Sequence, residues 1–371
     1  MKRNVLFAGI FAWAMIAALL LGVMILVLVG VIEMPSFVST SKTELLREDS
    51  FSIDELMNLS IQGRSEDIRV TLVSGDRITV RQYGNPDVDQ AFTDERKPTV
   101  GGFALTVAVP SRVRFLLFHW WSENYLEIEL PSQYDKALEL SSSSGDVHLP
   151  GWDSGDALTL SSTSGEVVLG ACSANSLSVS SVSGGIRMEN ASVTGHVNIE
   201  TTSGGVHAAD IQAQSAHVKS VSGGINLGRV TLDGQAELRV TSGDIRAEAL
   251  YCRDYDVSSI SGRISFAAAL QGGGRLHTTS GGIAAEGVSV TGPVTVSSTS
   301  GGVRLSLAPG QQCELALSST TGGFHGNVPL SYGGNRRSAT CIIGDGGPLV
   351  SVSTVSGGIT VDAFEPPPSS E

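Results

Sequence analysis

The sequence predicts an all-β chain: a single-stranded parallel β-helix (β-solenoid) of about eleven 19–20-residue coils, preceded by one N-terminal transmembrane helix. Three observations predict it. A Ser-Gly or Thr-Gly step recurs at nearly constant interval between residues 144 and 357. Around each step apolar and polar residues alternate with period two, the rhythm of a strand with one buried face. Residues 5–32, "VLFAGIFAWAMIAALLLGVMILVLVGVI", contain no charge.

The uncharged run comes first along the chain. At 1.5 Å per residue it is about 40 Å long as a helix, enough to cross a hydrocarbon core of ~30 Å with tilt. It exceeds the ~7–15 apolar residues of a cleaved signal, and "VIEMPS" makes a poor cleavage site. Residues 1–32 are therefore expected to be a cytoplasmic N-terminus and an uncleaved single-pass anchor. Lys2 and Arg3 precede the helix, which places the N-terminus in the cytoplasm and the C-terminal domain outside the cell membrane. Residues 33–50 are a polar linker.

Composition narrows the remainder. Glycine is abundant at 44 residues, while only 16% of residues are charged and 6% aromatic, which suits thin β-structure better than a core of large side chains. Removing Lys2 and Arg3 from the 24 basic residues leaves 22 against 37 acidic, a net charge of −15 outside the membrane. Such a surface is unsuited to nucleic acid, whose affinity comes from neutralised phosphates, and it attracts cations or cationic peptides. No nucleic-acid partner and no cofactor is expected.

The repeat is the strongest signal. The first glycine of each step falls at Gly145, Gly165, Gly184, Gly204, Gly223, Gly243, Gly262, Gly281, Gly301, Gly322 and Gly357. The spacing is 19–21 residues until a final interval of 35, which reads as one coil carrying an insertion at about 324–346. Five residues before each glycine stands Leu, Val or Ile, from Leu140 to Val352; two residues after it stands Val, Ile or Phe, from Val147 to Ile359. Apolar pairs such as Val230/Leu232 and Val288/Val290 suggest a third short side. Equivalent residues of successive coils are expected to stack at ~4.8 Å, which over eleven coils gives a rod on the order of 50 Å. The glycines are expected to turn corners through positive φ, with the preceding Ser hydrogen-bonded to backbone or to stacked Ser neighbours. A phosphate-cradling loop would need a following helix and a Lys in register, and neither is present.

On these residues the chain resembles the bacterial putative-adhesin family of domains of unknown function, whose repeats read Ser-x-Ser-Gly-(Gly/Asp)-(Ile/Val). The resemblance covers residues 51–364. It includes "RVTLVSGDRITVRQYG" (69–84) as an irregular first coil and "YLEIELP" (125–131) leading into the array. It implies a β-solenoid, commonly membrane-anchored, on the bacterial envelope, with some relatives linked to envelope-stress and antimicrobial-peptide responses. It supplies no catalytic residues.

The remaining segments fall around that array. Residues 51–135 are expected to be an N-terminal β-region and cap with hairpin-like strands "FALTVAVP" and "YLEIELP", and residues 136–363 the repeats. Between the two strands, "RFLLFHWW" (114–121) gathers Phe115, Phe118, Trp120 and Trp121, suited either to capping the open end or to dipping into lipid headgroups. Residues 364–371 read as a disordered tail. Cys172 and Cys252 lie four repeats apart, about 19 Å, too far for a disulfide. Cys313 and Cys341 flank one coil and its insertion; they form a candidate pair, beside the alternative of four unpaired small hydrophobes. No cysteine or histidine spacing suggests zinc.

Chemistry is sparse. A catalytic β-helix needs clustered carboxylates on an outer face, and no such pair, G-x-S-x-G elbow or H-E-x-x-H is present. Three residues after each glycine, an outward file includes His148, Arg187, His207, Arg246 and Arg304, a weakly basic candidate binding stripe for an envelope glycan or a protein partner. Two residues before each glycine, a Thr file recalling ice-binding surfaces is interrupted by Val and Ile. The expected function is that of a non-catalytic, adhesin-like structural or interaction module of the bacterial envelope. The alternative is a sensor of envelope stress or cationic peptides working with a membrane partner, and a polysaccharide-active enzyme ranks third.

Overall fold

A computed structural model describes residues 43–86, 89–110 and 123–363, and all of their regular secondary structure is β-strand. The anchor expected at 5–32, the aromatic cluster at 114–121 and the tail at 364–371 lie outside the described residues. The described part is a β-solenoid. Val147, Val167, Ile186, Val206, Ile225, Ile245, Ile264, Ile283 and Val303 stand opposite one another in successive parallel pairings. Leu140, Leu160, Val179, Ile199, Val218, Leu238, Val257, Leu276 and Val296 do the same on a second side.

Every residue of both files is almost fully buried. Each such side chain contributes about 1.5–3 kcal/mol on leaving water, so the two files are the core. A third file, from Trp152 through Cys172, Ala191, Ile211 and Val230 to Leu250, closes the interior.

The corner glycines are where expected but act differently. Most have no positive φ; among the eleven only Gly281, Gly301 and Gly357 do, near +157°. Their constraint is the rung beneath. A Cβ built on any of them lies between 1.7 and 2.7 Å from the carbonyl oxygen of the stacked residue, Glu66 for Gly145 and another corner glycine for the rest. Real Cβ atoms do not approach so closely. The glycine therefore sets the rung spacing, and each rung requires it of the next.

The corner hydroxyl is also a correction. The Ser immediately before the glycine, such as Ser144, is exposed; the working residue lies three before it and points inward. Ser162 donates to the Gly145 carbonyl at 3.0 Å and accepts from the Gly165 amide at 2.8 Å. Ser142, Ser181, Thr201, Ser220, Ser259, Thr278, Ser298, Ser319 and Thr354 donate in the same way to the rung below. Val240 alone breaks this file. At that rung the Cβ-to-carbonyl approach is 2.7 Å at Gly243, looser than at any other corner. A buried carbonyl without a partner is costly, and the hydroxyl file meets that need.

Stacking order departs from chain order at both ends. Only about eight turns, from Gly145 to Gly301, follow in unbroken sequence, so the expectation of eleven successive coils is corrected. The last segment, Leu349–Ser356 and Ile359–Ala363, lies between the Gly301 rung and the Gly322 rung, paired in parallel to both. The supposed insertion is the return path; its strand Ser338–Ile343 pairs antiparallel to Cys313–Ser319. At the other end, Leu56–Gln62 lies between Gly102–Ala108 and Ala137–Ser142. Asp67–Val73 likewise lies between Tyr125–Pro131 and Val147–Asp153.

The two strands expected to be hairpin-like also continue the stack, each parallel to that inserted rung. Gly102–Ala108 pairs antiparallel with Thr93–Thr99, and Tyr125–Pro131 with Arg77–Gly84. The expected linker also ends early, because Glu44–Ser52 is a strand antiparallel to Arg77–Gly84.

Candidate binding faces

Parity along the strand turns the third residue after each glycine outward. The register aligns His148, Val168, Arg187, His207, Asn226, Arg246, Ser265, Ala284 and Arg304 as one file, one residue per rung. His148, Arg187, His207 and Asn226 line one groove of about 710 Å³, with Leu169, Met188 and Leu227 also in its lining. Glycine at 170 and 228 opens this groove, and both positions are sterically closed to any side chain by the carbonyls of Pro150 and Ala209.

Arg187 is well exposed and sits 3.3 Å from the Glu166 carboxylate. Arg246 follows Asn226 on the next rung, held by Asp244 two residues earlier. Arg304 is three rungs further on, beyond Ser265 and Ala284, so the structure does not bring it to the groove. Arg69 extends the file below His148. Sequence reasoning missed it because the first coil carries Glu66 where the others carry the corner glycine.

The second glycine of each Gly-Gly pair belongs to this face. A Cβ on Gly205 would meet only ordinary contacts, Gly224 O at 3.5 Å and His207 Nε2 at 3.7 Å. In the same file Asp146 and Asp244 use their carboxylates to accept the amide of the residue one rung on, Glu166 at 2.6 Å and Arg263 at 2.8 Å.

A second concavity of about 570 Å³ lies on the third side. Tyr134 and Trp152, edge to face at 6.0 Å between centroids, are buried in its lining beside Cys172. The Tyr134 hydroxyl donates to the Ala137 carbonyl at 2.9 Å, and burial raises its pKa above the usual phenol range. The Trp152 indole N–H is buried with no acceptor among the described residues. Around this floor stand Asp153, Ser173, Asn190, Ser192, Asp210 and Gln212. These residues stand six or eight after the corner glycine, but the residue type at those offsets changes from coil to coil, which is why the sequence did not single them out.

All four cysteines are buried and free. Of the two alternatives, the candidate Cys313–Cys341 pair is not formed: Cys313 faces Ile343 while Cys341 faces Leu315, a two-residue offset across antiparallel strands. Burial pushes the Cys172 thiol up to about 11 and that of Cys252, beside Asp254, up to about 12. Val182, Ile260 and Val355 interrupt the Thr file in the exposed positions expected for them. Among the described residues no cluster of His, Cys, Asp and Glu is arranged to hold a metal ion.

Stacked short rungs with a Ser/Thr-x-Ser-Gly corner along most of the chain decide the family. The chain belongs to the Toastrack DUF4097 family. The family profile matches residues 56–271 and 251–362, nearly the whole solenoid, and describes a domain of unknown function. No curated protein matches the Toastrack chain.

Among solved structures it is similar to a putative adhesin from Parabacteroides distasonis ATCC 8503, at 12% identity, 88% coverage of this chain, 98% of that one and a TM-score of 0.33. It is also similar to a putative adhesin from Bacteroides fragilis NCTC 9343, at 11% identity, 87% and 99% coverage and a TM-score of 0.27. A putative cell adhesion protein from Clostridium sporogenes ATCC 15579 matches at 8% identity, 87% and 100% coverage and a TM-score of 0.22.

Proposed function

We propose that this Toastrack chain is a non-catalytic, adhesin-like interaction module of the bacterial cell envelope. Its N-terminal segment anchors it in the cell membrane by a single pass, and its solenoid stands outside. The observation that carries the reading is the outward file at the groove. From Arg187 through His207 and Asn226 to Arg246, side chains able to donate hydrogen bonds recur one rung apart, with a glycine notch beside them, on a scaffold whose interior does not depend on them. An extended anionic glycan of the envelope, lying along the file, suits that arrangement. The dispersed carboxylates argue for holding a ligand rather than cleaving one.

The test uses the full-length chain in lipid nanodiscs, captured on immobilised uronate-containing polysaccharide. Binding that weakens with salt and is lost in the Arg187→Ala, Arg246→Ala double variant supports the reading. No capture at low salt overturns it, and turnover of the polysaccharide overturns the non-catalytic assignment. The net charge of −15 outside the anchor favours one alternative, sensing of cationic peptides with a membrane partner. Salt-sensitive capture of such peptides without glycan binding would replace the first reading with the second.

A further inference from the structure

The hollow on the third side is a separate concavity from the stripe groove, and its chemistry is different. One wall is apolar: Leu72, 40% exposed, and Pro131 come from the N-terminal rungs. The outward residues of the following rungs are polar and uncharged or acidic, with Asp153, Asn190, Asp210 and Gln212 on exposed positions. Asn190 and Asp210 stand opposite each other on adjacent rungs, and Gln212 shares a strand with Asp210. Among the described residues no lysine or arginine lines the hollow; Arg229 faces Asp210 one rung on, and its backbone amide donates to the Asp210 carboxylate at 3.0 Å. Among the described residues the buried Trp152 N–H in its lining has no acceptor.

We propose that this hollow binds a short neutral glycan, amino sugars included, lying along the rungs. By register Asn190 and Asp210 stand three and four rungs from Leu72, about 14 and 19 Å, a distance that several linked sugar rings span and one does not. A pyranose has one face of C–H groups and an edge of hydroxyls. The apolar end suits the first, and the amide and carboxylate groups of the further rungs, which donate and accept, suit the second. Two carboxylates with no cation in the lining disfavour uronates and sulfated sugars, so the ligand class differs from that of the stripe. The site binds and does not hydrolyse. Asp153 is three rungs from the strand of Asp210, about 14 Å, beyond the ~5–9.5 Å between the paired carboxyls of a glycosidase.

The test titrates the full-length chain with glucose, glucosamine, the trisaccharide of N-acetylglucosamine and glucuronate, by calorimetry and ligand-observed NMR. Asp210→Ala and Asn190→Ala are the site variants, and Arg187→Ala, in the stripe groove, is the control. Expected is binding of at least one neutral or amino sugar, weakened about tenfold or more by either site variant and unchanged in the control. Binding of glucuronate, a ligand for the stripe, is expected to be unaffected by the two site variants and weakened by Arg187→Ala. Cooperative thermal melting shows that the variants remain folded, since both residues are exposed. The proposal is overturned if none of the three neutral or amino sugars binds at about 10 mM, if their binding survives both substitutions, or if the site variants weaken glucuronate binding as much as theirs.

Discussion

The two glycines of each Gly-Gly pair have different duties, so replacing them one at a time separates scaffold from surface. At Gly204 an added Cβ would lie 1.9 Å from the Gly184 carbonyl oxygen and 2.5 Å from its carbon. Relief needs the two rungs to part by about 1 Å, an overpacking cost of roughly 1–3 kcal/mol. The same movement stretches the Thr201 bond to the Gly184 carbonyl, at about 1 kcal/mol. Gly204→Ala should therefore destabilise by about 2–4 kcal/mol.

At Gly205 the nearest atom is 3.5 Å away and the backbone needs no positive φ. Gly205→Ala should be neutral or stabilise by about 0.4–1 kcal/mol, because alanine reduces the freedom of the unfolded chain. Thermal melting by circular dichroism reads the pair, and hydrogen exchange at the flanking rungs locates the effect. Equal destabilisation by both substitutions, or a change of under about 0.5 kcal/mol at Gly204, would refute the steric account of the corner.

Three further outcomes follow from the same geometry. Val240→Thr should stabilise by about 1 kcal/mol, because its hydroxyl supplies the missing donor to the Gly223 carbonyl; a lower melting temperature counts against the hydroxyl file. Ending the chain at residue 348 removes the rung between the Gly301 and Gly322 rungs. Hydrogen exchange should then show lost protection over Cys313–Ile343, with the rungs from Gly145 to Gly262 still protected. At alkaline pH, the buried Cys172 and Cys252 thiols hold their protons up to about 11 and about 12, while unfolded thiols lose theirs near 8.5. Their contribution is complete below the unfolded pKa and is lost as pH rises through the folded values. Stability should fall between about pH 9 and 12, and a Cys172→Ala, Cys252→Ala variant should show a flatter decline in denaturant titrations.

How far the fold was legible depended on parity. Leu160 and Val167 could be placed inside because a one-residue slip would turn a whole file outward. The same rule, applied to Ser162, would have found the hydroxyl file: it shares parity with Leu160, so it had to point inward and find partners. Attention fell on Ser164 instead because it adjoins the glycine. Stacking order was not legible, since the rung of Gly322 and the rung of Gly357 carry equivalent corners and either fits above Gly301. What decides between them is the antiparallel return through Ser338–Ile343, a tertiary pairing with no period of its own. The stripe was legible as a file, yet only register showed that His148, Arg187 and His207 share a groove and that Arg304 stands apart.

The division of labour inside each rung also explains how binding surfaces can vary on so repetitive a chain. Rung spacing is set by the first glycine, carbonyls are satisfied by an inward hydroxyl, and burial comes from three apolar files, so none of these terms involves an outward residue. Arg187 and Asn190 can therefore change without disturbing the stack, and their substitutions should alter stability by no more than about 0.5 kcal/mol. Asp210, whose carboxylate accepts the Arg229 amide at 3.0 Å, should cost about 1 kcal/mol when replaced. If Asp210→Ala instead lowered stability as far as Gly204→Ala, the outer files would belong to the scaffold, and loss of sugar binding in that variant would report folding rather than recognition.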